Sequence, residues 1–201
     1  MKIATIIKEF AKKYNKSIEN ILVHTGQHYS SNMSDDFFRD LKLPEPDINL
    51  NVGSSSHAKQ IANIMLRLEE ILADKNPQLV IVVGDVNSTL AAALTASKLK
   101  IKVAHIEAGL RSFDFDMPEE TNRILTDHIS DYLFCTEESA VKNLKNESVN
   151  EEKMFLVGNV MIDTLIKNLA NAKNSRILDK LNLRGDYCLL TAHRRPAAPS
   201  S

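Results

Sequence analysis

"LVIVVGDVNSTLAAALTASKLKIKVAHIEAGLRS", residues 79–112, decides the fold. It holds two short apolar runs, 79–84 and 102–106, rich in β-branched residues and apolar on both faces. Buried parallel strands have that composition, whereas strands with one wet face alternate. The alanine-rich segment 88–99 between them reads as a helix. Two strands joined through a helix lie parallel, with the helix packed on the sheet.

The same unit recurs on both sides. "ILVHT" (21–25), "YLFCT" (132–136), "MFLVG" (154–158) and "YCLLTA" (187–192) read as further strands. "IATIIKEFAKKY" (3–14), "HAKQIANIMLRLEEILAD" (57–74), "EETNRILTDHIS" (119–130) and "ESAVKNLKN" (138–146) read as amphipathic helices. The predicted class is α/β: a Rossmann-like parallel sheet with helices on both faces, binding its ligand beyond the carboxyl ends of the strands. The chain opens on a helix with no strand before it and ends on a strand followed by "HRRPAAPSS". That pattern predicts a fragment. Its expected parts are an incomplete N-terminal Rossmann-like domain (1–168), a polar, helix-like linker (169–186), and a strand with a Pro- and Ser-containing tail (187–201).

Composition narrows the function. A formal charge of −1 over 201 residues leaves no basic footprint for nucleic acid or an anionic membrane. The apolar runs are too short to span a bilayer, and the N-terminus lacks a signal-peptide pattern. Cys135 and Cys188 sit far apart in apolar runs and read as reduced core residues. The expected location is the cytoplasm.

Polar residues gather just after the strands. In "GDVNST", Gly84 permits a tight turn, Asp85 sits at the strand end, and Asn87 or Ser88 is placed to cap the next helix. Asp85 could simply accept backbone N–H groups in that turn. Glu107 follows "KVAHI", Gly109 suggests a bend, and Arg111 is spaced to pair with Glu107 or to bind an anion. Taken alone, the Glu107–Arg111 ion pair is the better reading. In "MPEETNR", Pro118 followed by Glu119 and Glu120 makes a good helix start, so dipole complementation explains at least one of the two acids. Glu120, Asp114 and Asp116 are assigned to capping and solvent. Asp85, Glu107 and Glu119 would nevertheless share one rim, and three crowded carboxylates raise at least one pKa. That arrangement suits proton transfer. His24 and His28 in "HTGQHYSSNM" make a weak metal site, with no carboxylate or Cys to complete it. His193, Arg194 and Arg195 at the end of the last strand suit a phosphate or pyrophosphate, and "VGN" (157–159) is a short, unspecific phosphate-turn pattern.

Together, "HTGQHYSSNM", "NLNVGSSSHAKQ", "VVGDVNSTLAAALTASKLKIKVAHIEAGLRSFD", "MPEETNRILTDHISDYLF", "VGNVMIDTL" and "LTAHRR" resemble the non-hydrolysing UDP-N-acetylglucosamine 2-epimerases, in that family's order. The resemblance implies the first domain of a two-domain, glycosyltransferase-B-like architecture, without its first strand and second domain. It implies an isomerase that interconverts UDP-GlcNAc and UDP-ManNAc by eliminating UDP and adding it back, for surface polysaccharide or glycan precursors. A UDP-sugar substrate, a homodimer and no nicotinamide cofactor or catalytic metal go with it. By position, Asp85, Glu107 and Glu119 match the family's carboxylates at the sugar, and His193 matches a histidine near the leaving pyrophosphate. Lys2, His28, Arg111 and Arg194 are the substrate-binding candidates, with structural or orienting roles for Arg111 and Arg123. Two alternatives remain. One is an epimerase of a UDP-2,3-diacetamido-glucuronate substrate, because the "RSFD…MPEE" spacing resembles a group that includes such enzymes. The other is an inactive fragment that only binds a partner or a nucleotide-sugar.

Overall fold

Each apolar run becomes a strand where its backbone finds a parallel neighbour. The computed structural model describes residues 2–26 and 45–190, with Lys2, Ala4, Thr5 and Lys8 described by their backbone alone. In chain order come α1 (Lys2–Lys13), β1 (Val23–His24), β2 (Ile48–Asn49), α2 (His57–Lys75), β3 (Leu79–Val83) and α3 (Asn87–Lys98). There follow β4 (Lys102–Ala108), α4 (Pro118–Ile129), β5 (Tyr132–Cys135) and α5 (Glu138–Asn146). After a 3-10 turn (Glu151–Lys153) come β6 (Met154–Leu156), α6 (Val160–Lys173) and α7 (Ile177–Lys180). The helices and strands predicted between residues 57 and 156 all form, within a residue or two of their expected ends. The two-residue strand β2 has no signal in the sequence that sets it apart from a loop.

Strands β3, β4, β5 and β6 form one parallel sheet in that order, and β1 pairs with β2, also parallel. Residues level across the sheet share a face. Val82, Val103, Leu133 and Cys135 are buried on one side. Ile64, Leu68 and Leu72 of α2 and Ala91, Ala93 and Ala96 of α3 pack with Val82 and Val103, and Leu50 joins the same core. Alanines on α3 let two helices and a sheet meet closely, which explains a segment so short of large side chains. Ala140 and Leu144 of α5 close the far end over Leu133, Cys135 and Ala108. The opposite face carries Leu79 and Ile81, each 39% exposed, with Val83 and Phe155 similarly open.

Helix ends follow local chemistry. Asn76 takes a left-handed conformation after α2 and donates its N–H to Leu72 O at 2.9 Å, ending the helix there. Pro118 occupies the first turn of α4, as the sequence predicts. The expected cap on α3 differs: Val86 holds the N-cap position without a side-chain bond, and Asn87 lies inside the helix.

The chain divides into two compact units, Met1–Thr164 and Leu165–Ser201. In the second unit, residues 187–190 form no strand, contrary to the reading of "YCLLTA". A strand needs a hydrogen-bonded neighbour, and among the described residues none pairs with it; Leu190 is 86% exposed. Cys188 is therefore exposed, which corrects its assignment to a core, whereas Cys135 is buried as expected. No helix among the described residues is long and apolar enough to cross a membrane.

Candidate active site

At the carboxyl edge of β3 and β4 the sheet is irregular where the chemistry sits. Gly84, at φ +70°, turns the chain out of β3 and donates its N–H to Ile106 O at 3.0 Å. The pairing of β4 with β5 slips between Ile106 and Ala108. Glu107 occupies that slip at φ +70°, a left-handed conformation that costs a side-chain-bearing residue roughly 1–2 kcal/mol. A Cβ on Gly84 would lie 3.6 Å from Glu107 Oε2, so the carboxylate is beside the Gly84–Asp85 turn. Two carboxylates thus leave neighbouring strands at the edge where parallel sheets bind ligands.

Helix α4 carries the third candidate, Glu119, in its first turn. Arg123 forms an ion pair with Asp85, and Asn122 Nδ2 donates to Asp85 O at 2.8 Å and to Asn87 Oδ1 at 3.2 Å. Glu119 stands four residues before Arg123 and so shares its face of the helix. The structure brings the Glu107 carboxylate beside the Gly84–Asp85 turn, and Glu119 is placed by its position in the first turn of α4. Arg123 and Asn122 are what fasten α4 to the turn after β3.

Glu120 is not a solvated capping residue, which corrects the expectation for it. It is fully buried. Its carboxylate accepts the Ser112 N–H (2.9 Å), the Ser112 hydroxyl (3.0 Å) and the Phe113 N–H (3.0 Å), and pairs with Arg123 at 2.8 Å. Burial alone would raise its pKa, but those donors together outweigh it and hold the carboxyl below its ordinary value. Glu120 thereby pins the loop between β4 and α4. Phe113, at φ +57°, is displayed 70% exposed on that loop.

Arg111 does not pair with Glu107. It forms two parallel bonds with Glu147, both 2.7 Å, and reaches Asp127 Oδ2 and Leu110 O at 2.8 and 2.7 Å. Its side chain is 1% exposed. Burial opposes the charge, yet the two carboxylates raise the guanidinium pKa on balance. A planar fork closed on two carboxylates is a buried cross-link, which fits the structural of the two roles expected for Arg111. Asp127 also accepts the Gly109 N–H at 3.0 Å and bonds His105 Nδ1 at 2.7 Å; His105 Nε2 faces Gly84 O at 2.9 Å. Gly109 has φ +79°, and a Cβ there would meet Ala140 O at 2.5 Å. No other residue fits this close approach of β4 to α5.

Behind Asp85, Asn87 Nδ2 donates to Gln60 Oε1 at 2.7 Å, and its amide contacts the His57 ring. At "VGN", Asn159 Oδ1 accepts the Met161 N–H at 2.8 Å, so that turn acts as a helix cap. His28, His193 and Arg194 lie outside the described residues, and Lys2 is described only as the backbone start of α1. Sequence reasoning missed His105, Asp127 and Asn122. The signal for His105 was present: one titratable residue inside a run otherwise apolar on both faces must be bonded. Asp127 and Asn122 had none beyond their helical spacing.

A parallel sheet flanked by helices, with acidic residues just beyond the ends of β3 and β4, defines a Rossmann-like α/β domain. Its class is shared with solved enzymes: a crystal structure of the Methanocaldococcus jannaschii UDP-GlcNAc 2-epimerase in complex with UDP-GlcNAc and UDP superposes with a TM-score of 0.79, at 48% identity over 84% of this chain and 46% of that one. The UDP-N-acetylglucosamine 2-epimerase family model matches residues 11–200, and the chain belongs to that family. A UDP-N-acetylglucosamine 2-epimerase homolog of Methanococcus maripaludis is 50% identical over 197 residues, covering 96% of this chain and 54% of its own length. A UDP-2,3-diacetamido-2,3-dideoxy-D-glucuronate 2-epimerase of Pseudomonas aeruginosa is 47% identical over 153 residues, covering 75% of this chain and 43% of its own. The chain spans about half the length of the curated relatives it matches.

Proposed function

We propose that the complete protein interconverts UDP-GlcNAc and UDP-ManNAc, with Asp85, Glu107 and Glu119 acting at the sugar. The observation that carries this reading is the Glu107 carboxylate lying beside the Gly84–Asp85 turn at the carboxyl edge of the sheet, in a chain of this family. In the forward direction a carboxylate takes the proton from C2, and the electron pair forms the C1–C2 double bond. The C1–O bond breaks, and UDP leaves with its electrons. Re-addition reverses these events with the proton delivered to the other face of C2. One face needs a base and the other an acid, and these are the roles proposed for the carboxylates. His193 and Arg194 are proposed at the departing pyrophosphate, and Lys2 and His28 at the substrate, by their match to the family pattern. Residues 1–168 are proposed as the Rossmann-like domain that carries these carboxylates, and 169–186 as a linker. We place the enzyme in the cytoplasm as a homodimer.

A second reading, epimerisation of a UDP-2,3-diacetamido-glucuronate, is supported by the 47% identity to the Pseudomonas aeruginosa enzyme. Both substrates react at C2 by the same route, so the rim described above serves either.

Incubation of the complete protein with UDP-GlcNAc in deuterium oxide tests the proposal. Deuterium should appear at C2 and UDP-ManNAc should accumulate, while Glu107→Gln and Glu119→Gln lower the rate by about 100-fold or more. Exchange only with the diacetamido-glucuronate nucleotide selects the second reading. No exchange with either refutes both.

A further inference from the structure

We infer that His105 and Asp127 are positioning residues that lock the β4 bulge and so fix Glu107 relative to Asp85. The kinetic side of this inference rests on the epimerase reading; the geometric side does not. His105 is fully buried in a strand whose other inward residues are apolar, where a polar ring is unfavourable unless both nitrogens are bonded. Here one nitrogen meets Asp127 and the other meets Gly84 O, the carbonyl joined to the Asp85 nitrogen. Asp127 uses its second oxygen for the Gly109 N–H and for Arg111. Asn143 Nδ2 on α5 holds Gly109 O at 2.9 Å.

Glu107 therefore sits midway between two residues, His105 and Gly109, that are tied to one carboxylate. The same histidine holds the turn that carries Asp85. A left-handed glutamate persists only where its surroundings over-determine it, and these bonds are those surroundings. Stability alone would not favour the arrangement: buried ionic clusters are often no better than apolar packing of the same volume. What the cluster adds is registration of two loops that belong to different strands.

The test uses His105→Gln and Asp127→Asn in the complete protein. Neither replacement can bond Gly84, Gly109 and Arg111 together as the native pair does. Solvent-deuterium exchange into C2 should fall about 100-fold in kcat, the size of effect that a small misplacement of a reacting group produces. KM should stay within about threefold, because the loss is confined to the reacting geometry. The Gly109 amide should exchange with solvent faster in Asp127→Asn. A folded His105→Gln enzyme with wild-type kcat, or a loss seen only in KM, overturns the inference. Should both variants fail to fold, Asn143→Ala removes one anchor of Gly109 from the α5 side. A fall in its kcat at constant KM then supports the inference, and an unchanged kcat refutes it. If the wild-type protein shows no epimerisation, the functional reading falls by itself. The inference then stands on Gly109 amide protection, and protection retained in Asp127→Asn overturns it.

Discussion

Asp85, at the end of β3, is ion-paired with Arg123 of α4, and the same guanidinium holds the buried Glu120. One arginine thus joins the rim to the loop behind it. Replacing it with methionine keeps much of the volume and leaves Glu120 buried without a counter-charge. Loss of one partner from a buried pair costs about 3–5 kcal/mol, and the lower end applies because Arg123 is partly exposed. Urea unfolding of Arg123→Met should show a loss of about 3 kcal/mol. A loss below about 0.5 kcal/mol would mean that the pair behaves as a surface contact.

Glu107 holds a conformation that suits glycine. Glu107→Gly removes a local cost of about 1–2 kcal/mol while adding about 0.5–1 kcal/mol of unfolded-chain entropy. The variant should match or slightly exceed the wild type in thermal stability and lose its epimerase activity. A variant markedly less stable than the wild type would show that the side chain, and not only the backbone, contributes to the fold.

Glu120 titrates lower in the folded protein than in the unfolded chain, where an ordinary carboxyl has a value near 4.5. Its contribution to stability is therefore present above that value and is lost as pH falls through the lower folded-state value. Denaturant midpoints measured from pH 6 downward should decline on the acid side of about 4.5, and less steeply in Glu120→Gln. Parallel declines in the two proteins would assign the acid limb to other carboxyls.

Burial raises the Cys135 thiol to about 11, with the nearby Asp127 charge adding to the effect. Cys188 is exposed. A thiol reagent at neutral pH should label Cys188 quickly and Cys135 only after denaturation. Rapid labelling of both in the native protein would contradict the packing of α5 over β5.

The sequence made the sheet legible because parallel strands are apolar on both faces and their helices keep a clear period between them. Residues 79–156 obey that rule, and their elements match. "YCLLTA" has the same composition, yet residues 187–190 form no strand, since composition records an affinity for a sheet and cannot supply the neighbouring strand. The site was legible in part. Asp85 and Glu107 stand out as charges just past apolar runs, and Glu119 as an acid at a helix start. The partners of Arg111 did not, because Glu147 and Asp127 lie 36 and 16 residues away and only the fold brings them close. Glu120 was misread because helix-start acids are usually solvated, and nothing local indicated that the Ser112 and Phe113 amides would turn toward it.

The order β3-β4-β5-β6, with every pairing parallel, also governs how this chain reaches its native state. Each paired residue lies more than twenty positions from its partner along the chain. Among the described residues no two strands can zip together through a tight turn, so loop closure precedes every rung of the ladder. Helices form within microseconds, and the sheet follows slowly as a sequence of long-range encounters. During that interval the strand of Leu79–Val83 is an uncovered apolar ribbon, and crowded synthesis would favour association between nascent chains at that segment.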